Sequence, residues 1–355
     1  MKLQDMPLFF SIPETLFILL METIITSLFY DNTMRKLGRQ GKMKALVTGG
    51  AGFIGSHLVE RLMGEGVDVR VLDNFSVGSR ENLEAVASHI ELVEGDVRDY
   101  KLMCESMRGI EVVFHQAALC SVAQSVEDPK NTNAVNIGGT LNVLLAARDE
   151  GVRRVVYASS CSVYGDTTAL TKQETQIPAP ASPYAVTKLA GELYCRNFYQ
   201  LFGLQTFSLR YFNVFGPRQV QDSSYTGVIP RFINTMLRGE SPVICGDGKQ
   251  SRDFVYIDNV VEANLLAMKA KAGFGETYNI ACGQRTTVLQ LVGYLSALLK
   301  VAIQPVYRQP QPGDVRHSKA DISKAKAVLG YRPNTDLLVG LERTIELCQN
   351  HVRSL

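Results

Sequence analysis

Residues 44–57 read KALVTGGAGFIGSH, and this stretch decides the fold of the chain. Its first five residues have the apolar character of a buried strand, and the glycines that follow permit a tight turn into a helix. Gly50, Gly52 and Gly55 match the spacing GxGxxG, while Gly49, Gly52 and Gly55 match GxxGxxG. Because glycines let the backbone approach a pyrophosphate at the N-terminus of the helix, the stretch predicts a dinucleotide site.

The predicted second strand ends in Asp73, 18 residues after Gly55. A carboxylate at this place can accept hydrogen bonds from the adenosine ribose and repels a 2′-phosphate, which favours NAD over NADP. Asp96, at the end of the third strand, is placed to meet the adenine edge. An aspartate at a strand end is also a common turn residue, so both interpretations of Asp96 stay open.

Short apolar runs alternate with longer helical segments along the chain. Strands are predicted at residues 44–48, 67–73, 90–96, 111–116, 153–159 and 205–211. Strands and helices that alternate over short connections form right-handed βαβ units, and these build a parallel sheet covered by helices on both faces. The predicted fold class is therefore α/β, with a doubly wound parallel sheet, the Rossmann fold.

The alternation becomes irregular after Tyr211, which predicts a smaller C-terminal lobe and the return of part of this region to the main sheet. We assign residues 43–212 and 253–284 to an NAD-binding domain, and residues 213–252 and 285–355 to the lobe.

The composition excludes several classes of function. The chain has 355 residues, 37 basic against 35 acidic, and a net charge of +2, which offers no broad field for nucleic acid. Its seven cysteines are scattered without a CxxC pair or zinc spacing, so we expect reduced thiols, no metal site and a cytoplasmic location.

The first 42 residues differ from the rest. Residues 8–30 are mostly apolar but include Glu14 and Glu22, which are costly in a bilayer. Two interpretations stay open: a membrane anchor or interfacial helix, and an extension outside the fold, upstream of a true start at Met43. Membrane contact is expected only if the extension is present in the mature protein.

The stretch SPYAVTK, residues 182–188, places a phenol and an ammonium four residues apart. Ser182 can cap a helix and Pro183 suits its first position, so Tyr184 and Lys188 should share one helix face. Many solvated helices carry the same pair. The pair gains a partner from Ser160, which directly follows the predicted fifth strand, at the same edge of the sheet as the dinucleotide site.

The order TGxxGxxG, strand-end Ser160 and YxxxK resembles the extended short-chain dehydrogenases/reductases, and in particular the NAD-dependent epimerases and dehydratases. The resemblance runs from Met43 to the C-terminus. It implies Ser160, Tyr184 and Lys188 as catalytic residues. It also implies that NAD contacts Gly49, Gly52, Phe53, Ile54, Gly55, Asp73, Asn74, Asp96, Val97, Gln116, Ala117, Ala118, Asn136, Ser160, Tyr184, Lys188 and Phe212.

The implied chemistry explains the spacing of the pair. Oxidation of a sugar carbinol needs a base within hydrogen-bond reach of its hydroxyl. We expect Lys188, the positive nicotinamide ring and the helix N-terminus to favour phenolate and to move the pKa of Tyr184 towards working pH. Ser160 shares the substrate oxygen, unless it is only a strand-end serine bonded to backbone.

Three segments resemble the nucleotide-sugar site of UDP-sugar 4-epimerases: residues 211–219, 228–232 and 246–260. Matched by position, Asn213 meets the diphosphate, Val228 the uracil and Arg252 the phosphates; a structural salt bridge is the alternative for Arg252. The implied substrate contacts are Ser121, Ser160, Ser162, Tyr184, Asn213, Val228, Arg252 and Ser318.

Particular residues favour some activities of this family over others. Nucleotide-sugar 4,6-dehydratases carry an Asp-Glu pair where this chain has Cys161 and Ser162, so the proton donors for loss of water are missing. Ser318 matches the position that is bulky in epimerases restricted to UDP-glucose and UDP-galactose, and its small side chain leaves room for an N-acetyl group. The thiol of Cys161 is a poorer donor than the usual hydroxyl.

One departure concerns the diphosphate. Gln311 stands where the family usually carries an arginine, so a charged contact is lost unless Arg308 or Arg316 compensates.

The resemblance thus implies reversible C4 epimerisation of a UDP-hexose through a 4-keto sugar, with tightly bound NAD. UDP-GlcNAc/UDP-GalNAc is the favoured pair, and UDP-glucose/UDP-galactose remains open. The alternatives are a UDP-glucuronate 4-epimerase or decarboxylase and, from another class, a catalytically silent NAD-binding regulator. The resemblance also implies a homodimer built from helices at about 132–150 and 183–202.

Overall fold

The computed structural model describes residues 42–167, 169–219, 227–309 and 316–354. Met43–Leu355 form one compact unit. The interpretations of the N-terminal segment as an anchor or an extension concern residues outside those described, as does Gln311. None of the helices in the described ranges combines the length and the apolar character that a bilayer crossing requires.

A parallel sheet of seven strands forms the centre of the described fold. Its order is β12-β7-β5-β4-β1-β2-β3. These strands are β1 (Lys44–Thr48), β2 (Asp68–Asp73), β3 (Glu91–Glu94), β4 (Val112–His115), β5 (Arg154–Ser160), β7 (Gln205–Tyr211) and β12 (Glu276–Ile280). Six of them lie where the sequence predicts strands, and β12 is the predicted return of the C-terminal region. The doubly wound fold class is confirmed.

Helices cover both faces of this sheet. In chain order they are α1 (Phe53–Gly64), α2 (Tyr100–Met107), α3 (Val122–Glu127), α4 (Pro129–Asn133), α5 (Gly139–Asp149), α6 (Pro183–Phe202), α7 (Val228–Leu237), α8 (Ile257–Lys269), α9 (Val288–Leu299), α10 (Ser323–Leu329) and α11 (Leu337–Ser354). Short 3₁₀ helices span Arg80–His89 and Cys161–Tyr164, and a π-helical turn spans Ala134–Gly138.

Strand β1 shows how the two faces are filled. Ala45 and Val47 join the apolar core that contains Leu58 of α1, while Leu46 joins the opposite core with Val143 of α5. Successive residues of a strand point to opposite faces, so one continuous apolar run serves both layers.

Short strands build the region beyond the main sheet. They are β6 (Thr171–Lys172), β8 (Val214–Phe215), β9 (Val243–Cys245), β10 (Ser251–Arg252), β11 (Val255–Tyr256), β13 (Thr286–Thr287), β14 (Val306–Arg308) and β15 (His317–Ala320). One small sheet has the order β13-β10-β15-β6, and two-stranded sheets join β11 to β8 and β14 to β9. The boundary between NAD-binding domain and lobe stays a prediction.

Candidate active site

The glycine turn after β1 is closed against neighbouring backbone. Gly49 has φ +70°, and a Cβ on it would lie 2.6 Å from the nitrogen of Ala117. A Cβ on Gly55 would lie 2.1 Å from the oxygen of Gly49. Helix α1 follows with Gly52 as N-cap and no side-chain capping bond. The glycine turn has no room for side chains, and the first N–H groups of the helix have no side-chain acceptor. This is the arrangement that binds a phosphate.

Asp73 stabilises this turn from the end of β2. Its carboxylate is buried and accepts hydrogen bonds from the backbone N–H of Ala51 at 2.9 Å and of Phe75 at 2.8 Å. Each carboxylate oxygen has a second lone pair, so the group retains capacity for a ribose hydroxyl.

Asp96 lies next to Asp73 at the same edge of the sheet. Hydrogen bonds from Arg98 lower the pKa of Asp96 to about 2, and Asn74 Nδ2 donates a further bond of 2.9 Å. The bond from the backbone N–H of Arg98 shows the turn role of Asp96. Its contact with adenine stays a prediction.

Asn136 fixes the loop that follows β4. It lies in the π-helical turn, accepts a bond of 2.9 Å from the N–H of Leu119 and donates to the carbonyl oxygen of Leu119 and to Thr187 Oγ1. This loop contains Ala117 and Ala118. Asn136 thereby ties the loop to helix α6.

Other residues predicted to contact the cofactor lie near the glycine turn and the ends of the strands. Gln116 donates to Tyr211 at 3.2 Å. Val97 and Phe212 are buried, at 4% and 1% exposure, and belong to the packed walls around this edge. Phe53 and Ile54 open helix α1. Contact of these residues with NAD stays a prediction.

The start of α6 has the predicted geometry. Ser182 Oγ accepts the N–H of Ala185 at 3.2 Å, and Pro183 occupies the first helical position. The N–H of Tyr184 donates to Ser125 Oγ at 3.1 Å. The prediction of the helix, its cap and its proline is confirmed.

Tyr184, Lys188 and Ser160 come together at the end of β5. The side chain of Ser160 lies close enough to the phenol of Tyr184 to act on its pKa. Lys188 Nζ lies 5.9 Å from the centre of the Tyr184 ring. Ser160 Oγ accepts the N–H of Ser162 at 3.1 Å, and this hydrogen bond together with its place at the strand end orients the hydroxyl. The three predicted catalytic side chains therefore share one site.

We predicted that the protein's own groups would lower the pKa of Tyr184, and this prediction is wrong. Burial raises the pKa of Tyr184 above its ordinary value, and the neighbouring Ser160 opposes this shift only in part. Burial also lowers the pKa of Lys188 to about 8. Burial therefore favours the neutral form of both side chains, because both members of the pair are removed from water.

The predicted phosphate and sugar residues meet around Asp253. Arg252 on β10 pairs in register with Ser318 on β15. Asn213 donates to the carbonyl oxygen of Asp253 at 3.1 Å. The Asp253 carboxylate is buried and accepts the N–H of Ala320 at 3.1 Å, which fixes β15 beside β10.

Ser318 lies close to Cys161, the residue that follows Ser160. Its side chain lies close enough to the Cys161 thiol to act on the pKa of that thiol, which burial raises to about 11, so Cys161 remains protonated near neutral pH. Ser162 Oγ is buried and has no hydrogen-bond partner among the described residues. Ser121 instead caps α3, where it accepts the N–H of Gln124 at 3.1 Å.

A cavity of about 1300 Å³ opens between α7 and the β9–β14 pair. Its lining comprises Arg231, Val243, Cys245, Gly246, Asp247, Tyr307, Arg308 and Gln309. Val228 begins the adjoining helix. Cys245 and Tyr307 lie in no recognisable sequence motif, so the sequence did not predict them as part of a site.

The two arginines considered as replacements at Gln311 differ in their surroundings. Arg308 lines the cavity, whereas Arg316 forms a 2.7 Å ion pair with Asp247.

Comparison with known proteins finds relatives along most of the chain. The NAD dependent epimerase/dehydratase family matches residues 45–281. The UDP-glucose 4-epimerase of Mycolicibacterium smegmatis is 39% identical over 313 residues, which cover 87% of this chain and 99% of that protein. A UDP-glucuronate 4-epimerase of Thermodesulfobacterium geofontis is 32% identical and covers 86% of this chain and 96% of its own length.

Solved structures agree over the same range. UDP-glucose 4-epimerase from Thermotoga maritima, crystallised with UDP-glucose, superposes with a TM-score of 0.83 at 41% identity and covers 87% of this chain and 100% of that one. UDP-N-acetylglucosamine 4-epimerase from Methanobrevibacter ruminantium, in complex with UDP-N-acetylmuramic acid, gives a TM-score of 0.84 at 37% identity, with 88% and 100% covered. UDP-glucose 4-epimerase from Thermus thermophilus in complex with NAD gives 0.78 at 37% identity, with 86% and 99% covered.

Proposed function

Because this chain belongs to the NAD-dependent epimerase/dehydratase family, we propose that it inverts C4 of a UDP-hexose as an NAD-dependent 4-epimerase. The observation that carries the proposal is the meeting of Ser160, Tyr184 and Lys188 at the end of β5. Cys161 and Ser162 follow Ser160, so the site has no carboxylic acid there to eliminate water. This favours epimerisation over dehydration.

The residues around the glycine turn fit NAD. Gly49 and Gly55 leave no room for a side chain, α1 has no side-chain cap, and Asp73 offers carboxylate lone pairs at the adjoining strand end. We therefore assign the pyrophosphate to the first turn of α1 and the adenosine ribose to Asp73. When bound, NAD supplies the acceptor and donor of the hydride at C4 and a positive ring that favours the Tyr184 phenolate.

Tyr184 accepts the proton of the C4 hydroxyl as the sugar becomes a 4-keto sugar, and returns it at the end of the reaction. Ser160 donates a hydrogen bond to the same oxygen and holds it beside the phenol. Lys188 stabilises the phenolate by its charge. The keto sugar must present its other face between the two steps, which requires space around the hexose but no further acid or base.

The diphosphate and base are assigned to the region around the cavity. Arg252 and Asn213 face the diphosphate, and Val228 lies on the uracil side, as the matched segments imply. Arg308 lines the cavity and supplies a cation in place of the arginine missing at Gln311. Arg316 is engaged by Asp247 and is the weaker candidate.

Ser318 supports UDP-GlcNAc and UDP-GalNAc as the preferred pair. Its side chain is small and 8% exposed, and it lies beside Cys161 next to the catalytic serine. An N-acetyl group at C2 needs volume at this wall. UDP-glucose and UDP-galactose are smaller and would also fit, so the preference concerns relative turnover.

Two other functions are tested with the same protein. A UDP-glucuronate 4-epimerase or decarboxylase would need a group for the C6 carboxylate. A silent NAD-binding regulator would have no chemical need for the phenolic base. We assay the purified chain with UDP-GlcNAc, UDP-glucose and UDP-glucuronate and measure bound NAD alongside. Inversion of UDP-GlcNAc with NAD retained supports the proposal, whereas turnover of UDP-glucuronate alone, or of none, contradicts it.

A homodimer through α5 and α6 is part of the proposal. Val186 and Leu193 lie seven residues apart on α6 and are 48% and 54% exposed. Residues at this spacing share one helix face, and apolar side chains on such a face need a cover. Light scattering should give twice the chain mass, and Leu193→Glu should give the monomer.

A further inference from the structure

A buried ion pair lies directly behind the proposed catalytic residues. Glu192 Oε1 accepts from Arg210 Nε at 2.8 Å, and Glu192 Oε2 accepts from Arg210 Nη2 at 2.7 Å. The two side chains are only 5% and 4% exposed. The geometry is bidentate, which is the strongest form of this contact.

The pair connects the two elements that carry the acid–base groups. Glu192 lies one turn after Lys188 on α6 and also accepts a hydrogen bond from the hydroxyl of Ser159. Ser159 precedes Ser160 on β5 and pairs in register with Arg210 on β7. One carboxylate therefore joins the helix of Tyr184 and Lys188 to the strand of Ser160.

The same contacts continue to the sugar side of the site. The guanidinium of Arg210 lies 4.6 Å from the centre of the Tyr164 ring. Tyr164 donates to Asn279 Oδ1 at 2.7 Å, and Asn279 Nδ2 donates to the carbonyl oxygen of Asp321 at 3.0 Å. Asp321 directly follows β15, the strand of Ser318. The network thus extends from the catalytic helix to the strand beside the proposed sugar pocket.

Stability alone does not account for charges at this place. Removing two charges from water is costly, and well-packed apolar residues are often as stabilising as a buried ion pair. A bidentate pair with a third bond from Ser159, however, restricts the spacing between α6, β5 and β7. Proton transfer to a phenol depends on such spacing.

We propose that Glu192 and Arg210 are positioning residues that hold Ser160, Tyr184 and Lys188 in the reactive arrangement. The proposal rests on the proposed function, because the reactive arrangement is that of the 4-epimerase. Neither residue is assigned a contact with substrate or cofactor. Their removal should therefore impair the chemical step more than substrate binding.

Glu192 also acts on the charge of Lys188. The groups that face Lys188 are Cys195 and Tyr184 on α6, Cys120 before α3, His115 on β4 and Tyr157 on β5, besides Glu192 itself. Burial keeps His115 neutral by lowering its pKa to about 3. Burial lowers the pKa of Lys188, and the negative charge of Glu192, the carboxylate in this set, opposes that shift.

Three variants separate positioning from general stability. Glu192→Gln keeps the shape and removes the charge, and Ser159→Ala removes one bond and leaves the ion pair. Arg154→Met is the control, because Arg154 is an equally buried arginine at the opposite end of β5. It donates to Gln205 and to the carbonyl oxygens of Ala267 and Ala270, away from the catalytic end.

The first readout is steady-state kinetics with UDP-GlcNAc. Glu192→Gln should lower kcat by about tenfold to a hundredfold with KM changed by less than about twofold, since small displacements at a reacting centre have effects of this order. Ser159→Ala should change kcat in the same direction by a smaller factor. A similar loss of kcat in Arg154→Met, or an unchanged kcat in both test variants, would overturn the proposal.

The second readout does not need activity. The pKa of Lys188 is titrated by NMR of lysine-labelled protein, with Lys188→Met to assign its signal. Glu192→Gln should lower this pKa, because the neighbouring negative charge is gone, while Arg154→Met should leave it in place. An unchanged pKa in Glu192→Gln overturns the proposal. If the wild-type chain inverts no UDP-sugar, the proposed function fails, and the titration still decides whether Glu192 acts on Lys188.

Discussion

Lys188 Nζ donates a hydrogen bond of 2.8 Å to the carbonyl oxygen of Ala158. Ala158 lies two residues before Ser160 on β5, and Lys188 lies one turn after Tyr184 on α6. This bond directs the ammonium towards the strand end and leaves its charge close to the phenol. The ammonium is also buried, which lowers the pKa of Lys188 to about 8, so loss of its proton can be followed in an accessible pH range.

Turnover should fall as the pH rises through about 8, because Lys188 then loses its proton and the cation beside Tyr184 disappears. Lys188→Met should lower kcat by about a hundredfold and remove this alkaline limb. The measurement is a pH–rate profile with UDP-GlcNAc. Lys269→Met removes an exposed lysine paired with Glu65 and should retain both rate and profile. If the fall in turnover at alkaline pH persists in Lys188→Met, another group causes it and the prediction is wrong.

Gly55→Ala should weaken NAD binding by at least about tenfold, because the new Cβ would lie 2.1 Å from the oxygen of Gly49 and displace the turn. Gly64→Ala is the matched control in the same helix, since a Cβ on Gly64 meets nothing within 4 Å. NAD occupancy of the purified variants and its recovery on titration provide the measurement. Equal occupancy in both variants would exclude the turn as the phosphate site.

Ser318→Tyr should suppress turnover of UDP-GlcNAc more than that of UDP-galactose, because the ring would occupy the volume that an N-acetyl group needs. The buried position of Ser318 beside Cys161 leaves the new side chain little room elsewhere. The ratio of kcat/KM for the two substrates is the measurement. Ser318→Ala, which only removes the hydroxyl, should leave the ratio nearly unchanged. An equal loss for both substrates in Ser318→Tyr would remove the steric argument.

Asp253 should make stability depend on pH. Burial raises its pKa from 3.8 to about 6, so the folded protein retains a proton that the unfolded chain releases. The stability that this retained proton contributes to the folded protein is complete below about pH 4 and is lost as the pH rises through about 6. The free-energy difference of unfolding between wild type and Asp253→Asn should therefore shrink by up to about 3 kcal/mol over this range. Urea denaturation at several pH values measures it, and a constant or growing difference would contradict the assignment.

Much of the main sheet could be predicted because each strand is a buried apolar run between turn residues. Gln205–Tyr211 has the predicted limits, and Lys44–Thr48 likewise. Strands such as Ser251–Arg252 and Thr286–Thr287 could not be predicted. Two residues show no periodicity, and their pairing depends on contacts between distant parts of the chain.

The residues of the site could be predicted from the sequence, but the directions of their pKa shifts could not. The spacing of Tyr184 and Lys188 indicates a pair on one helix face, yet it carries no information on burial, which decides the direction of both pKa shifts. Glu192 follows the same helical spacing and would ordinarily belong to a solvated face. Only the packing of α6 on β5 and β7 places it against Arg210.

The rate of C4 inversion by Tyr184→Phe tests most directly whether Tyr184 is the catalytic base. The variant lacks only the phenolic oxygen, and its ring keeps the packing of the site. We expect kcat for UDP-GlcNAc and for UDP-galactose to fall by about a thousandfold, because Tyr184 is the group assigned to take the proton of the C4 hydroxyl, while NAD remains bound. Near-normal inversion of either sugar by Tyr184→Phe would contradict the assignment of Tyr184 as the catalytic base.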